Sequence, residues 1–280
     1  MTKPLTSSSA ASSIEIICPG IETGKIRFAL FDFDGTISLI REGWQSIMIP
    51  MMTEILQRET RGADAVELEK VVKEFVTRLT GKQTIYQMIQ LCEEIEKRGG
   101  KAENPLYYKN MYNERLNTHI QDRIEALKQK KVKPEEMCVP GALDWLGILR
   151  KRGIHCYLAS GTDEKYVFEE AGLLGLPPYF EGVYGAKDNF KSFSKKMVID
   201  QIIAEHKLHG SEFAAFGDGY VEIEDSKSAG GIAVGLATNE KDRIGIDEWK
   251  RSRLITAGAD LIIADFRCAN ELEDFLFKEE

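Results

Sequence analysis

No stretch of this 280-residue chain approaches the roughly 20 consecutive apolar residues that a membrane-crossing helix needs. The opening MTKPLTSSSAASSIEII has no continuous apolar segment of the kind a secretory signal uses. A soluble, cytoplasmic protein with no membrane partner is therefore the expectation. Positive charge is also in deficit: 37 Lys and Arg face 45 Asp and Glu, a net charge of −8, which argues against a general nucleic-acid surface. Cysteine is sparse and unpaired in pattern. Cys18, Cys92, Cys138, Cys156 and Cys268 are odd in number, scattered and without metal-ligand spacing, as expected of reduced thiols. Internal repeats are absent, and low complexity is confined to a Ser/Ala-rich start. Residues 1–22 are expected to be a flexible tail, with Ile14 to Cys18 either a short edge strand or no element.

The whole chain is 43% hydrophobic, enough to bury a sizeable core in one or two domains. The organising stretch is IRFALFDFDGT, Ile26 to Thr36. Its first six residues are mostly apolar and rich in strand formers, so they read as a buried strand. Residues two apart on a strand share a side, so Asp32 and Asp34 emerge together at its carboxyl end, where Gly35 permits a sharp turn. Taken alone, D-x-D is a common strand-end turn. Two adjacent carboxylates also repel unless a cation sits between them or one keeps a proton. A hard cation such as Mg²⁺ serves the first case, and a general acid beside a nucleophile serves the second.

After this strand the pattern is helical for about a hundred residues. Trp44 to Leu56 is apolar-rich, with Pro50 expected to bend or break it. Apolar faces recur over 65–79, 85–95 and 106–131. From Val139 helices and strands alternate: a helix from Ala142, a strand Ile154–Ala159 running into a Ser160-Gly161-Thr162 turn, and a helix from about Lys165. Further elements are a helix Lys195–His206, a strand Phe213–Phe216, a helix from Glu222, and strands at Gly231–Leu236 and Leu261–Ile263. This alternation predicts an α/β fold with a doubly wound parallel sheet. The helical hundred becomes an insertion between its first two strands. The expected division is a core domain of residues 23–38 and 139–280 with an all-helical cap of residues 39–138, joined by linkers near Ser38 and Val139 that let the cap swing.

Other polar groups fall at the same sheet edge. Ser160 and Gly161 offer a hydroxyl and backbone N–H groups to an anion. Lys195 heads a helix, and Asp218 follows the apolar run FAAF, with Glu222 four residues on. Together these resemble the haloacid dehalogenase superfamily, in its phosphatase branch with a helical cap after the first motif. Asp32-Phe33-Asp34-Gly35-Thr36 matches the first motif, Leu158-Ala159-Ser160-Gly161 is similar to the second, and Phe216-Gly217-Asp218-Gly219 resembles the fourth. The third motif is a lone lysine, Lys195 or Lys196, and the spacing of Lys195 to Asp218 suits the family better.

The resemblance implies a Rossmann-like core and a catalytic pair in which Asp32 is the nucleophile and Asp34 the acid and base. It implies phosphate binding by Ser160, Gly161 and Lys195, and Mg²⁺ held by Asp32, the Asp34 carbonyl and Asp218. Glu222 stands where the family usually carries a second Asp, which leaves its ligand role open, with Asp225 a weaker substitute. The implied activity is Mg²⁺-dependent hydrolysis of a small phosphorylated metabolite, such as a sugar or polyol phosphate, through an aspartyl-phosphate. A phosphosugar mutase on the same core and a non-hydrolytic phospho-acceptor module are the alternatives. Asp34 disfavours dehalogenation, and phosphonate cleavage would need a cap amine, for which Lys82 is the candidate. Arg41, Glu42, Trp44 and the Lys82-Gln83-Thr84 loop are candidates for substrate selection, Arg41 for a second anionic group. Monomer and homodimer remain open.

Overall fold

The structure, a computed structural model, describes residues 14–60, 64–187 and 189–278. Most of the expected tail lies outside these residues, but from Ile14 onward the chain belongs to the fold. Glu15–Ile16 (β1) lies antiparallel to Leu261–Ile263 (β7), and Ile17 and Cys18 donate their N–H groups to the Asp260 carbonyl.

Phe28–Phe31 (β2) is buried on both faces, which is why it carries apolar residues without alternation. It pairs in parallel with His155–Asp163 (β3) and Phe213–Gly217 (β5). Gly182–Ala186 (β4) extends the sheet beyond β3, and Ile232–Leu236 (β6) links β5 to β7. The seven strands run in the order β1-β7-β6-β5-β2-β3-β4. The two-residue period of β2 divides the core into layers. Ala29 and Phe31 face one, where Phe31 stacks on Phe216 at 4.6 Å between ring centres and Trp145 meets Phe216 edge-on. Phe28 and Leu30 face the other, packed with Ile199 and Ile202.

Four helices fill the insertion after β2: Gln45–Glu59 (α1), Ala65–Leu79 (α2), Thr84–Lys97 (α3) and Pro105–Lys128 (α4). Six more serve the sheet: Ala142–Lys151 (α5), Glu164–Leu173 (α6), Lys195–His206 (α7), Tyr220–Ser228 (α8), Glu248–Thr256 (α9) and Ala269–Leu276 (α10). The fold is thus the expected doubly wound, mostly parallel sheet with an all-helical cap. The chain enters and leaves the cap side by side: Leu39 N–H donates to the Met137 carbonyl and Val139 N–H to that of Ile37. Arg123 of α4 ties the entry segment down through the Ile40 and Glu42 carbonyls, both at 2.8 Å.

Two expectations are corrected, and one element is added. Pro50 does not end its helix; α1 runs through it, because the buried row Met48, Met51, Met52, Ile55 and Leu56 outweighs one missing hydrogen bond. Ser160-Gly161-Thr162 is no turn but an irregular continuation of β3, whose register with β4 shifts between Ala159 and Asp163. Helix α9 is an addition to the expected elements, since only Lys250 and Leu254 of its residues are buried. Its signal is Asp247, which caps the N–H groups of Trp249 and Lys250, followed by Glu248 in the first turn.

Candidate active site

Parallel strands bring their carboxyl ends to one edge, and the chain-distant residues Asp32, Asp34, Ser160, Lys195 and Asp218 meet there. Asp32 is the first residue beyond β2, and its N–H donates to the Phe216 carbonyl. Its carboxylate Oδ1 lies 2.8 Å from Lys195 Nζ. Ser194 caps α7 by accepting from Met197 N–H, and this start aims the buried Lys195 inward. Lys196 points outward instead, pairing with Asp200. Of the two lysines, only Lys195 reaches the Asp32 carboxylate.

Glu222 Oε2 accepts from Lys195 Nζ at 2.8 Å, while Oε1 accepts from Gly219 N–H at 2.7 Å, closing the first turn of α8. The extra methylene lets one side chain serve both. Carboxylate oxygens of Asp32, Asp218 and Glu222 all lie within 4.8 Å of one another. Burial, opposed by Lys195 and reinforced by the Glu222 and Asp218 charges, pushes the Asp32 carboxyl well above the usual carboxylate range. Asp225 is not in this acidic cluster; half-burial raises its carboxyl to about 6.

A residue missed in the sequence sits behind Asp218. Lys250 of α9 is buried, and its Nζ lies 2.7 Å from Asp218 Oδ2 and also pairs with Glu240. Lysine is so seldom buried that no sequence pattern singles it out. Counted as fully ionised, Asp32, Asp218, Glu222 and Glu240 against Lys195 and Lys250 would leave two negative charges, which one divalent cation would match. This donor set, hard oxygens close together with excess negative charge, fits Mg²⁺. Replacing Lys250 by Met should destabilise the metal-free protein by roughly 1–3 kcal/mol, because the half-buried Asp218 and Glu240 would be left without their cation. Adding Glu240→Gln should restore part of it, read as melting temperatures of the single and double variants.

Asp34 stands apart from this cluster. Its Oδ2 accepts from the hydroxyls of Thr162, at 2.8 Å, and Ser160, at 3.2 Å, whereas Oδ1 is buried without a hydrogen-bond partner. Arg41 Nε lies 3.9 Å from Oδ1, too far to hydrogen-bond. The guanidinium is committed to Glu170 of α6, with contacts of 2.6 to 3.1 Å. Burial, opposed by the Arg41 charge and by the two hydroxyls, raises the Asp34 carboxyl above its ordinary value.

The cavity over these groups is about 90 Å³ and is shared by core and cap. Trp44, Met48, Lys82, Thr84, Gln87 and Tyr112 face it from the cap side. The candidates for selection differ in their partners. Arg41 lines the cavity, but its charge is matched by Glu170, so it is not a free anchor for a second anion. Glu42 is outside the cavity and pairs with Arg123 at 3.1 Å. Gln83 is a latch between cap and core, donating to the carbonyls of Phe193, at 2.6 Å, and Phe190, at 3.1 Å. Lys82 stays in the lining and has no carboxylate partner among the described residues. The loop that carries it closes on two core glycines. A Cβ on Gly161 would lie 2.7 Å from the Lys82 carbonyl oxygen, and one on Gly219 would lie 3.2 Å from Gly81 Cα. A second tie joins α4 to the end of β3, where Asp163 pairs with Lys109 and accepts from Asn113 at 3.1 Å.

A family model described as "Hydrolase: haloacid dehalogenase-like hydrolase" matches residues 26–230. No curated protein matches the sequence significantly. Among solved structures, the chain is similar to a predicted phosphoglycolate phosphatase from Haemophilus somnus (14% identity, TM-score 0.58, covering 89% of this chain and 98% of that one). It is also similar to a predicted phosphatase from Clostridium acetobutylicum (15%, 0.57, 91% and 99%) and to a β-phosphoglucomutase from Clostridium difficile (13%, 0.53, 82% and 98%). At such identities the likeness is one of fold. No helix among the described residues is long and apolar enough to cross a membrane.

Proposed function

The chain belongs to the haloacid dehalogenase-like hydrolase family, and from that premise we propose that it is a Mg²⁺-dependent phosphatase of a small phosphorylated metabolite. The observation that carries this reading is the pairing of two unlike aspartates at one cavity. Asp32 is held by an ammonium, and Asp34 keeps one buried oxygen without a partner. With a divalent cation offsetting the carboxylates around it, Asp32 would be suited to attack, and Asp34 to carry a proton.

In the proposed reaction an Asp32 carboxylate oxygen attacks phosphorus while the bond from phosphorus to the ester oxygen breaks. Asp34 gives its proton to the departing oxygen. In the second half Asp34 takes a proton from water, whose oxygen attacks the aspartyl-phosphate, releasing phosphate and restoring Asp32. Lys195, the Gly161 N–H and the Ser160 hydroxyl hold phosphoryl oxygens, the last by turning from Asp34 to the substrate. Asp32, the Asp34 backbone carbonyl and Asp218 are the proposed Mg²⁺ ligands, with Glu222 in reach of the same position. A bound divalent ion supplies neutralisation of the charge gathered on carboxylates and phosphoryl oxygens.

The pairing of Arg41 with Glu170 serves the acid. Two carboxylates face one guanidinium, Glu170 takes its hydrogen bonds, and Asp34 is left to retain a proton. The cavity's size and its polar cap lining of Lys82, Thr84, Gln87 and Asn113 suit a small hydroxylated ester such as a sugar or polyol phosphate. A cytoplasmic location accords with the reduced cysteines.

Asp34→Asn tests the assignment. Loss of the acid should slow an alkyl phosphate by roughly 10²–10⁴-fold. An aryl phosphate, whose leaving group needs no proton, should still give a burst of phenol equal to the enzyme present, followed by slow turnover. Because the Asp34 carboxyl is raised, the wild type should lose kcat/KM for alkyl esters as pH climbs through that raised value. The variant should lack this limb. Equal losses on both ester types, with no burst, would remove Asp34 from the acid's role. A phosphometabolite panel with and without Mg²⁺ identifies the substrate.

A further inference from the structure

A second concavity, of about 480 Å³, shares no residue with the catalytic cavity. Arg78 of α2 lines it from the cap, and Tyr220, Glu224, Trp249, Ser252 and Arg253 line it from the core. Arg253 lies against two of its aromatic rings. Its guanidinium carbon lies 4.7 Å from the Trp249 ring centre and 5.4 Å from that of Tyr220. The rings fix the guanidinium while leaving its N–H groups unused. Among the described residues, Arg253 makes no ion pair and no side-chain hydrogen bond. The carboxylates of Asp218 and Glu222 act on it from the catalytic site, and half-burial holds its pKa below the ordinary arginine value. Glu224 borders the groove without pairing with it.

Arg78 adds a second guanidinium, anchored by the Gln90 amide oxygen at 2.9 Å. Burial and the Glu224 charge raise the Tyr220 hydroxyl, opposed by the charges of both arginines. Trp249 is 44% exposed, a large apolar surface beside two cations. A guanidinium fixed by aromatic faces, with its donor fork free and a second arginine at hand, is a receptor for a multi-oxygen anion. We propose that this groove is a second anion site, which takes a phosphoryl group, free or on a small ester, between Arg253 and Arg78 with Trp249 and Tyr220 as its walls. Since Arg78 belongs to the cap and Arg253 to the core, an occupant bridges the two.

The three tryptophans allow a test independent of turnover. Trp44 lines the catalytic cavity, Trp145 is fully buried and Trp249 lines the groove. Nitrogen-15 indole resonances, assigned with Trp249→Phe, are followed in the wild type during titration with inorganic phosphate and, separately, with phenylphosphonate. The Trp249 signal should shift with both. Tighter binding of phenylphosphonate would indicate an ester whose organic part rests on the rings, and equal binding would indicate free phosphate.

Arg253→Gln should weaken the Trp249 response about tenfold or more, the loss of one charge-assisted contact. Arg78→Gln should weaken it to a smaller extent. Both variants should keep the Trp44 response, the Trp145 signal and aryl-phosphate turnover. A Trp249 signal that stays still while Trp44 saturates would overturn the proposal. So would one that moves equally in the wild type and both variants.

Discussion

Asp32→Asn is expected to abolish turnover of every phosphate ester, with a fall in kcat on the order of 10⁴–10⁶-fold, the scale seen when a nucleophile is removed. The fold should survive, because the change deletes a charge that burial already penalises: Asp32 is 5% exposed and its carboxyl is pushed upward. Lys195 keeps its second partner, Glu222. The melting temperature should therefore stay level or rise. Turnover by the Asp32→Asn variant near the wild-type rate would sink covalent catalysis by this residue. A wild-type protein that accepts phosphate stoichiometrically and never turns over would instead favour a phospho-acceptor on the same sheet.

Lys195→Met should have the second-largest effect, on stability and catalysis together. It strands two buried carboxylates, Asp32 and Glu222, beside each other. Breaking such a buried pair costs about 3–5 kcal/mol. Loss of one preorganised cation from the phosphoryl site should lower kcat by roughly 10²–10³-fold. The same change predicts a metal effect readable without any substrate. In chelator the variant should melt well below the wild type, and added Mg²⁺ should raise its melting temperature more than the wild type's, since the ion restores neutrality to the stranded pair. Lys196→Met is the control: its exposed pair with Asp200 is worth no more than ~1 kcal/mol. A Lys195→Met protein as stable and as Mg²⁺-insensitive as that control would refute the electrostatic account.

Much of the site is legible in the sequence because it is local. Asp32 and Asp34 point together by the period of a strand, and Lys195 sits at a helix start marked by Ser194. The sheet edge they share follows from the alternation of strands and helices. What escapes a sequence reading depends on partners that no local pattern names. Arg41 reads as an anchor for substrate until Glu170, 129 residues later, is seen to hold it. Gln83 reads as a selector until its amide is found on the carbonyls of Phe190 and Phe193. Lys250 gives no hint, because a lysine reads as solvated unless its carboxylates are in view.

By itself, then, the amino-acid order determined the sheet, the place of the helical cap and the aspartate pair, since these rest on periodicity, burial and turns within a few residues. Only the tertiary structure decided which charges are spent and which are free. Charge pairing is set by distances of a few ångströms between segments far apart in the chain, and in a buried site that pairing determines whether a lysine, an arginine or a carboxyl remains available for chemistry.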